Sequence, residues 1–397
     1  MGVSHLLQIG NHDVSKLAVV VARAIRSALE RSHMELINRH RAIEVAVSLR
    51  DKFRIIHMDL IDIEKNRTSF SSHFITKGEN GGAVEFVKRA NGYMHALYPS
   101  VMMIAEDSSA YGHVTKGQFD DGLGFDYKWD LGWMNDTLKY YGKDPVYRKY
   151  CHNQLTFSMA YFYSENFMLP LSHDEVVHMK GTILNKMWGD YDNKFANVRN
   201  LYAYQFAHPG KKLNFMGNEL AEFDEWKEFQ PISFDVLNYP KHCGIQKLIA
   251  DLNHIYVEHP CMHIEEYNPK TFGWIMADNC DQSVYVFKRE SEEECMIFIF
   301  NMTPNFYWDY DVGVPYEGTY REILNTDKAI YGGWNQDNSQ PLVTHGNGGA
   351  HNQKFKITLK IPSFGAIYLV HHKETEEDQK KRLAKDGNQT IETSDIR

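Results

Sequence analysis

The sequence predicts an α/β protein that continues into an all-β region. Three apolar runs, at residues 101–105, 167–171 and 212–216, show no alternation, which is typical of strands buried on both faces of a parallel sheet. Beyond about residue 265 the pattern changes. Residues 283–288, 296–300 and 355–361 are rich in strand formers, and clusters of Gly, Pro and Asn separate them, as in an antiparallel sandwich.

Helical segments lie between the apolar runs. Residues 83–97 are amphipathic and precede Pro99, which disfavours a helical conformation in the residue before it. Residues 195–207 form a second helical pattern, closed by Pro209 and Gly210. This alternation is typical of an α/β barrel, in which functional side chains follow the carboxyl ends of strands. The three runs indeed end in acidic or histidine residues, at 106–107, 172–175 and 217–219.

Composition narrows the classes of function. With 43 Lys and Arg against 52 Asp and Glu, the 397-residue chain has a formal charge of −9, which disfavours nucleic acid and anionic membranes as partners. No apolar run approaches the roughly 20 residues that span a bilayer, and no secretory signal is visible at the start. The five cysteines are scattered and form no CxxC pair. We therefore expect a cytoplasmic protein without metal or other cofactor.

The sequence lacks the motifs of several common metal, nucleotide and serine-nucleophile sites. The segment SHDEVVH at 172–178 places His173 and His178 five residues apart, whereas the zinc motif HExxH requires four. The glycines at 81–82 and 122–124 lack the spacing of a dinucleotide or phosphate loop, and no G-x-S-x-G nucleophile elbow is found. Paired carboxylates remain as the candidate chemistry.

Two carboxylates follow predicted strands. Glu106 comes directly after the apolar residues Ile104 and Ala105, where desolvation would raise the carboxyl pKa and keep it protonated. A protonated carboxyl is what a general acid at a glycosidic oxygen requires. Asp174 lies beside His173, and together they could bind sugar hydroxyls and stabilise oxocarbenium-like charge. Aromatic residues make up 13% of the chain and suit either a large core or stacking on sugars.

Five longer motifs follow one another along the chain. They read MIAEDS at 103–108, GFDYKWDLGWMND at 124–136, HNQLTF at 152–157, LPLSHDEVVH at 169–178 and HPGKKLNFMGNE at 208–219. In this order they resemble the motifs of bacterial-type 1,4-α-glucan (glycogen) branching enzymes of the α-amylase superfamily. The resemblance runs from about residue 79 to about residue 371.

The resemblance implies a catalytic (β/α)₈ barrel followed by a β-sandwich, of which this chain would carry the C-terminal half of the barrel and the sandwich. The expected domains are an atypical segment at 1–78, a partial barrel at 79–265, a β-sandwich at 266–371 and a disordered charged tail at 372–397. Five or so βα units do not close an eight-stranded barrel, so the sequence predicts a truncated member of the family.

The family reaction is retaining. An aspartate attacks C1 of an α-1,4-glucan such as amylose or glycogen, a glutamate protonates the leaving oxygen, and a second aspartate stabilises the transition state. A glucan 6-hydroxyl then takes the chain and makes an α-1,6 branch. By motif, Glu106 matches the acid/base, Asp174 the transition-state aspartate and His173 the sugar-binding histidine. Tyr127, Trp129 and Trp133 are candidate residues for substrate stacking.

The nucleophile is not assigned. The family carries it in an (F/L)-R-V-D motif, and the corresponding region here, 48–62, reads SLRDKFRIIHMDLID. Aligning residues 53–55 with the motif puts Ile56 where an aspartate is required, and using Asp51 demands a one-residue deletion. Asp59 and Asp62 are further candidates without the motif. Retaining chemistry needs the nucleophile about 5–5.5 Å from the acid.

Two alternatives to a branching enzyme stay open. An α-amylase-like hydrolase would use the same carboxylates with water as the acceptor. A non-catalytic glucan-binding remnant would keep the stacking aromatics, and the missing nucleophile motif favours it. The length and order of the motifs favour branching over hydrolysis.

Overall fold

The structure, a computed structural model, describes residues 81–109, 111–345 and 348–372. By their contacts these residues form two compact units, one of 81–129 with 164–167 and the other of 130–163 with 168–372. The predicted N-terminal segment 1–78 and all but the first residue of the predicted tail 372–397 lie outside the described residues. In the described part of the chain, no helix is long and apolar enough to cross a membrane.

The smaller unit packs one helix on a parallel strand pair. Helix α1 (Gly81–Leu97) ends two residues before Pro99, as predicted. Strands β1 (Ile104–Ala105) and β2 (Tyr127–Trp129) pair in parallel, with Ile104 opposite Tyr127. Among the described residues of this unit, five buried side chains form one hydrophobic cluster, namely Ala83, Val87, Ala105, Val114 and Leu123.

The prediction of a doubly buried strand at 101–105 is wrong for this segment. Strand β1 has only two residues, and Met102 and Ile104 are 63% and 37% exposed. Among the described residues β1 pairs with one strand, β2, and these residues leave Ile104 partly exposed. An apolar run therefore does not by itself show that both faces of a strand are covered.

The larger unit begins with helices and a second parallel strand pair. Its helices are α2 (Leu131–Tyr141), α3 (Pro145–Arg148), α4 (Asn153–Thr156), α5 (Ile183–Lys186), α6 (Tyr191–Ala207) and α7 (Pro240–Glu258). Strands β3 (Phe167–Leu171) and β4 (Lys211–Asn214) pair in parallel. Strand β3 is buried at all five positions, as predicted, whereas β4 is half-buried. Helix α6 lies in the core, with twelve of its 17 residues buried.

The C-terminal part of this unit is antiparallel, as predicted. Its strands are β5 (Phe272–Met276), β6 (Val284–Glu290), β7 (Glu294–Asn301), β8 (Tyr307–Val314), β9 (Thr319–Asn325), β10 (Leu342–Val343), β11 (Phe355–Ile361) and β12 (Ala366–His372). Six of them form a sheet in the order β10-β9-β12-β7-β6-β5, and β11 pairs with β8 in a second sheet.

Strand β7 is almost continuously apolar because all eight of its residues are buried. Ile297 and Ile299 pack towards the β8–β11 sheet, while Phe298 and Phe300 belong to the same core cluster as helix α6. The Tyr368 hydroxyl donates a hydrogen bond to the Ala203 carbonyl in that helix. The helical and β parts of the larger unit therefore share one core.

Candidate active site

The turn after β3 is fixed by its own sequence. Ser172 caps a 3₁₀ turn, His173–Glu175, through a reciprocal capping box. The Ser172 hydroxyl accepts the Asp174 N–H at 3.3 Å and donates to Glu175 Oε2 at 2.6 Å, and the Ser172 N–H donates to the same carboxylate at 3.1 Å. Such a box satisfies backbone donors that would otherwise be unpaired, so it holds the turn in one conformation.

This turn presents His173 and Asp174 to solvent. His173 Nε2 and Asp174 Oδ1 are 3.0 Å apart, and the two side chains are 24% and 22% exposed. The His173 ring lies 5.8 Å from the Phe215 ring, which makes an edge contact with Trp226 at 5.3 Å. The result is an imidazole–carboxylate pair that rests on aromatic residues and remains accessible to a ligand.

Asn218 ties the end of β4 to the end of β3. Its amide nitrogen donates to the Leu171 carbonyl at 3.1 Å and to Asn214 Oδ1 at 3.2 Å. Its own carbonyl accepts the Tyr202 hydroxyl at 2.8 Å. Sequence reasoning noted the cluster 217–219 as a strand exit but did not assign this positioning role. The signal in the sequence is Asn218 itself, four residues after the end of β4.

The loop that follows the turn is held by two charged side chains. The Glu225 carboxylate accepts the N–H groups of Met179 at 2.9 Å and Gly181 at 2.5 Å, and these bonds lower its pKa. Lys186 Nζ donates to the carbonyls of Glu175 at 2.6 Å and Gly181 at 3.1 Å. Burial lowers the pKa of this lysine. These two side chains thus anchor both ends of the loop.

A cavity of about 120 Å³ opens beyond this turn. Val176, Met216 and Trp226 line it together with Glu222, whose pKa is raised by burial and by the nearby Asp224. Sites for small ligands usually measure several hundred Å³, so this cavity accommodates only part of a sugar chain.

Glu106 lies in the smaller unit, directly after β1, as the sequence predicts. It is partly buried, and its Oε2 atom is shielded from solvent. The next residue, Asp107, is 4% exposed and forms a 3.1 Å ion pair with Lys128 Nζ. Asp107 Oδ1 also accepts the Ser109 N–H at 2.7 Å. Asp107 therefore anchors the segment that carries Glu106, a role that sequence reasoning did not assign.

The three aromatic residues predicted to stack on substrate differ in exposure. Tyr127 is partly buried and Trp129 is 7% exposed. Trp133 is 1% exposed, and its ring stacks on Tyr204 with a centroid distance of 6.2 Å and an interplanar angle of 14°. A side chain enclosed in this way offers no free face to a sugar. The structure therefore contradicts the prediction for Trp133, which is a core residue.

Neither a metal site nor the nucleophile is found in the described residues. No group of three or more His, Cys, Asp or Glu side chains in residues 81–109, 111–345 and 348–372 could hold a metal ion. The nucleophile candidates Asp51, Asp59 and Asp62 lie outside these residues.

Comparison with known proteins identifies the relatives of this chain. Residues 274–372 match the family described as the alpha amylase C-terminal all-beta domain. The 1,4-alpha-glucan branching enzyme GlgB of Aquifex aeolicus is 45% identical over 300 residues, which cover 74% of this chain and 47% of that protein. The resemblance to bacterial 1,4-α-glucan branching enzymes is confirmed. GlgB 1 of Clostridium perfringens (strain SM101) is 41% identical over 329 residues, or 81% of this chain and 49% of that branching enzyme. The chain thus spans about half the length of these branching enzymes.

Solved structures support the fold. The protein AmyP in complex with maltose superposes with a TM-score of 0.52 at 12% identity, over 72% of this chain and 61% of AmyP. A variant of AmyP in complex with maltotriose gives the same TM-score at 11% identity, over 72% of this chain and 62% of that variant. Together with the match of the β domain, this likeness confirms the predicted class, the C-terminal half of a (β/α)₈ barrel followed by an all-β domain.

Proposed function

We propose that this chain acts on α-1,4-glucans as a branching transferase, which moves a glucan segment to a 6-hydroxyl and creates an α-1,6 branch. The observation that carries the proposal is the His173–Asp174 pair, partly exposed and held by a capping box at the carboxyl end of a fully buried strand. It lies within the region that is 45% identical to the branching enzyme of Aquifex aeolicus. We also propose that the chain acts in the cytoplasm, as the sequence predicts.

In this proposal Asp174 and His173 act on the sugar at the bond that breaks. The Asp174 side chain stabilises the positive charge that develops at C1 in an oxocarbenium-like transition state. His173 hydrogen-bonds the hydroxyls of the same sugar and holds Asp174 in place through the 3.0 Å contact. A fixed turn suits this role because a pre-positioned charge needs no reorganisation during the reaction.

Glu106 would be the general acid and base. Its carboxyl transfers a proton to the glycosidic oxygen as the bond from C1 to that oxygen breaks. In the second step its carboxylate takes the proton of the acceptor 6-hydroxyl, whose oxygen bonds to C1 as the bond from C1 to the nucleophilic carboxylate breaks. The carboxylate that holds the glucan between the steps is left unassigned, with Asp51, Asp59 and Asp62 as candidates.

Two other functions use the same residues. A hydrolase would pass the glucan to water. A non-catalytic remnant would bind glucan through His173 and the exposed part of Tyr127, and the missing (F/L)-R-V-D motif favours this second candidate.

Incubation with amylose separates the three functions. Branching predicts loss of iodine colour without new reducing ends, hydrolysis predicts loss of colour with new reducing ends, and a remnant changes neither. Glu106→Gln should lower any turnover by about 10²–10⁴-fold, because an amide cannot donate the proton. Glu85→Gln is the matched control, since Glu85 is exposed and pairs with Arg89 on the same helix face. Wild-type turnover in Glu106→Gln would contradict the role of this residue.

A further inference from the structure

The larger unit contains a second, larger pocket. It measures about 440 Å³, which lies within the range of small-molecule sites, and it shares no lining residue with the cavity beyond the His173 turn. Its walls come from the start of α6, the start of α7 and three loops of the β domain. The lining residues include Asp192, Arg199, Lys241, Asp327, Gly333 and Trp334.

The loop after β9 is shaped to present Trp334. The Asp327 carboxylate accepts the N–H groups of Trp334 at 3.0 Å and of Gln336 at 3.1 Å. Gly332 has φ +82°, and a Cβ on Gly333 would lie 2.2 Å from the Asp327 carbonyl oxygen, so neither position tolerates a side chain. The folded loop leaves the Trp334 indole 81% exposed at the edge of the pocket.

Arg199 is a buried cation of this pocket. The residue is 4% exposed, its Nε has no hydrogen-bond partner, and its Nη1 reaches the Gly332 carbonyl only at 3.4 Å. Burial lowers its pKa to about 10, so it stays charged near neutral pH. A buried charge with unused donors is unfavourable. Arg199 is among the residues that line the pocket, so a ligand oxygen there can accept a hydrogen bond from its guanidinium group.

The charges of the pocket are balanced. Arg199 and Lys241 are matched by Asp192 and Asp327, and Lys241 Nζ pairs with the Asp192 carboxylate. A phosphate or another anion would gain no excess positive charge and would lie near two carboxylates. A neutral polyhydroxylated ligand fits better, because its hydroxyls can donate to carboxylates, accept from the guanidinium and present a ring face to the indole.

We propose that this pocket binds a short neutral oligosaccharide, with one sugar ring on Trp334 and its hydroxyls hydrogen-bonded to Arg199 and Asp192. The site is separate from the His173–Asp174 pair, and it rests on the pocket itself and not on the proposed reaction. It would hold a glucan to the β domain whether or not the chain is catalytic.

The test measures maltotriose binding by calorimetry in the full chain carrying His173→Ala, which removes the candidate active-site contact. In this background we expect binding to persist and Trp334→Ala to weaken it by about tenfold or more. Trp308→Ala is the matched control, since Trp308 is 64% exposed in the same domain and does not line the pocket. The affinity of this variant for maltotriose should be unchanged.

The position of the ligand is read from 5-fluorotryptophan labelling. The ¹⁹F resonance that Trp334→Phe removes should shift on adding maltotriose and should not shift with inorganic phosphate. Maltotriose affinity that Trp334→Ala leaves unchanged, absence of binding in the His173→Ala chain, or a response to phosphate alone would each overturn the proposal. Failure of the proposed reaction would instead appear in the amylose assay and would leave these results unaffected.

Discussion

Two strand ends in this molecule carry the candidate chemistry, and they are built differently. The end of β3 follows five buried residues and runs into a turn with a complete capping box. The end of β1 follows a two-residue strand whose Ile104 is 37% exposed, and one ion pair, Lys128–Asp107, anchors the segment after that strand. The motif match does not distinguish these two strand ends, although the contacts that hold them in the described residues are different.

The carboxylates of Asp174 and Glu106 are therefore held in place by different contacts. Asp174 depends on hydrogen bonds within its own turn and on the buried strand behind it, so its position should be sensitive to changes in the larger unit. Glu106 depends on the short segment around Asp107. Six of the seven tryptophans lie in the larger unit, so tryptophan fluorescence reports mainly on the stability of that unit.

The largest expected difference in stability between the two units arises at acidic pH. His208 is fully buried in the larger unit, where its Nδ1 contacts the Pro209 carbonyl at 2.7 Å and its Nε2 contacts the Ser158 hydroxyl at 2.9 Å. Burial lowers its pKa to about 3, so its stabilising contribution is present above the unfolded pKa of about 6.5 and is lost as the pH falls towards 3. The described histidines of the smaller unit, His95 and His113, are at least partly exposed.

The measurement is denaturant unfolding of the wild type and His208→Gln, followed by tryptophan fluorescence at pH 8 and pH 5. The wild type should lose about 2 kcal/mol more than the variant between these pH values, because a glutamine does not titrate. An equal loss in both proteins would show that His208 is not the group that protonates on unfolding.

A smaller effect is expected from the capping box at the end of β3. Ser172→Ala removes the hydroxyl that bonds both the Asp174 N–H and the Glu175 carboxylate, so it should lower the free energy of unfolding by about 1 kcal/mol. Ser233→Ala is the matched control, because Ser233 also precedes a 3₁₀ turn but makes no capping bond with its side chain. Equal effects of the two substitutions in urea unfolding would show that the capping box does not stabilise the turn after β3.

The sequence predicted those elements whose signal is local. The helix before Pro99, the buried strand β3 with its polar turn, and the antiparallel β domain all follow from the order of apolar and breaking residues. The predicted burial of β1 was wrong because it depends on neighbours that an apolar run cannot specify.

Trp133 shows a signal that was present but not used. Within α2, the buried residues are Trp133, Met134, Thr137, Leu138, Tyr140 and Tyr141, and their spacing of three and four marks a core-facing stripe. That stripe indicates packing and not stacking on a sugar. The Trp334 pocket had no such signal, because its lining joins residues from 192 to 364 that only the folded chain brings together.

The most direct test of the account asks whether Glu106 and Asp174 act on the same glycosidic bond. Initial rates on amylose are measured for Glu106→Gln, Asp174→Asn and the double variant, with far-ultraviolet circular dichroism confirming that each is folded. Each single change should lower the rate by about 10²–10³-fold or more, and the double variant should be little slower than the slower single variant, because groups that act as a unit are not additive. A double variant whose loss equals the product of the two single losses, or wild-type rates in either single variant, would contradict the account.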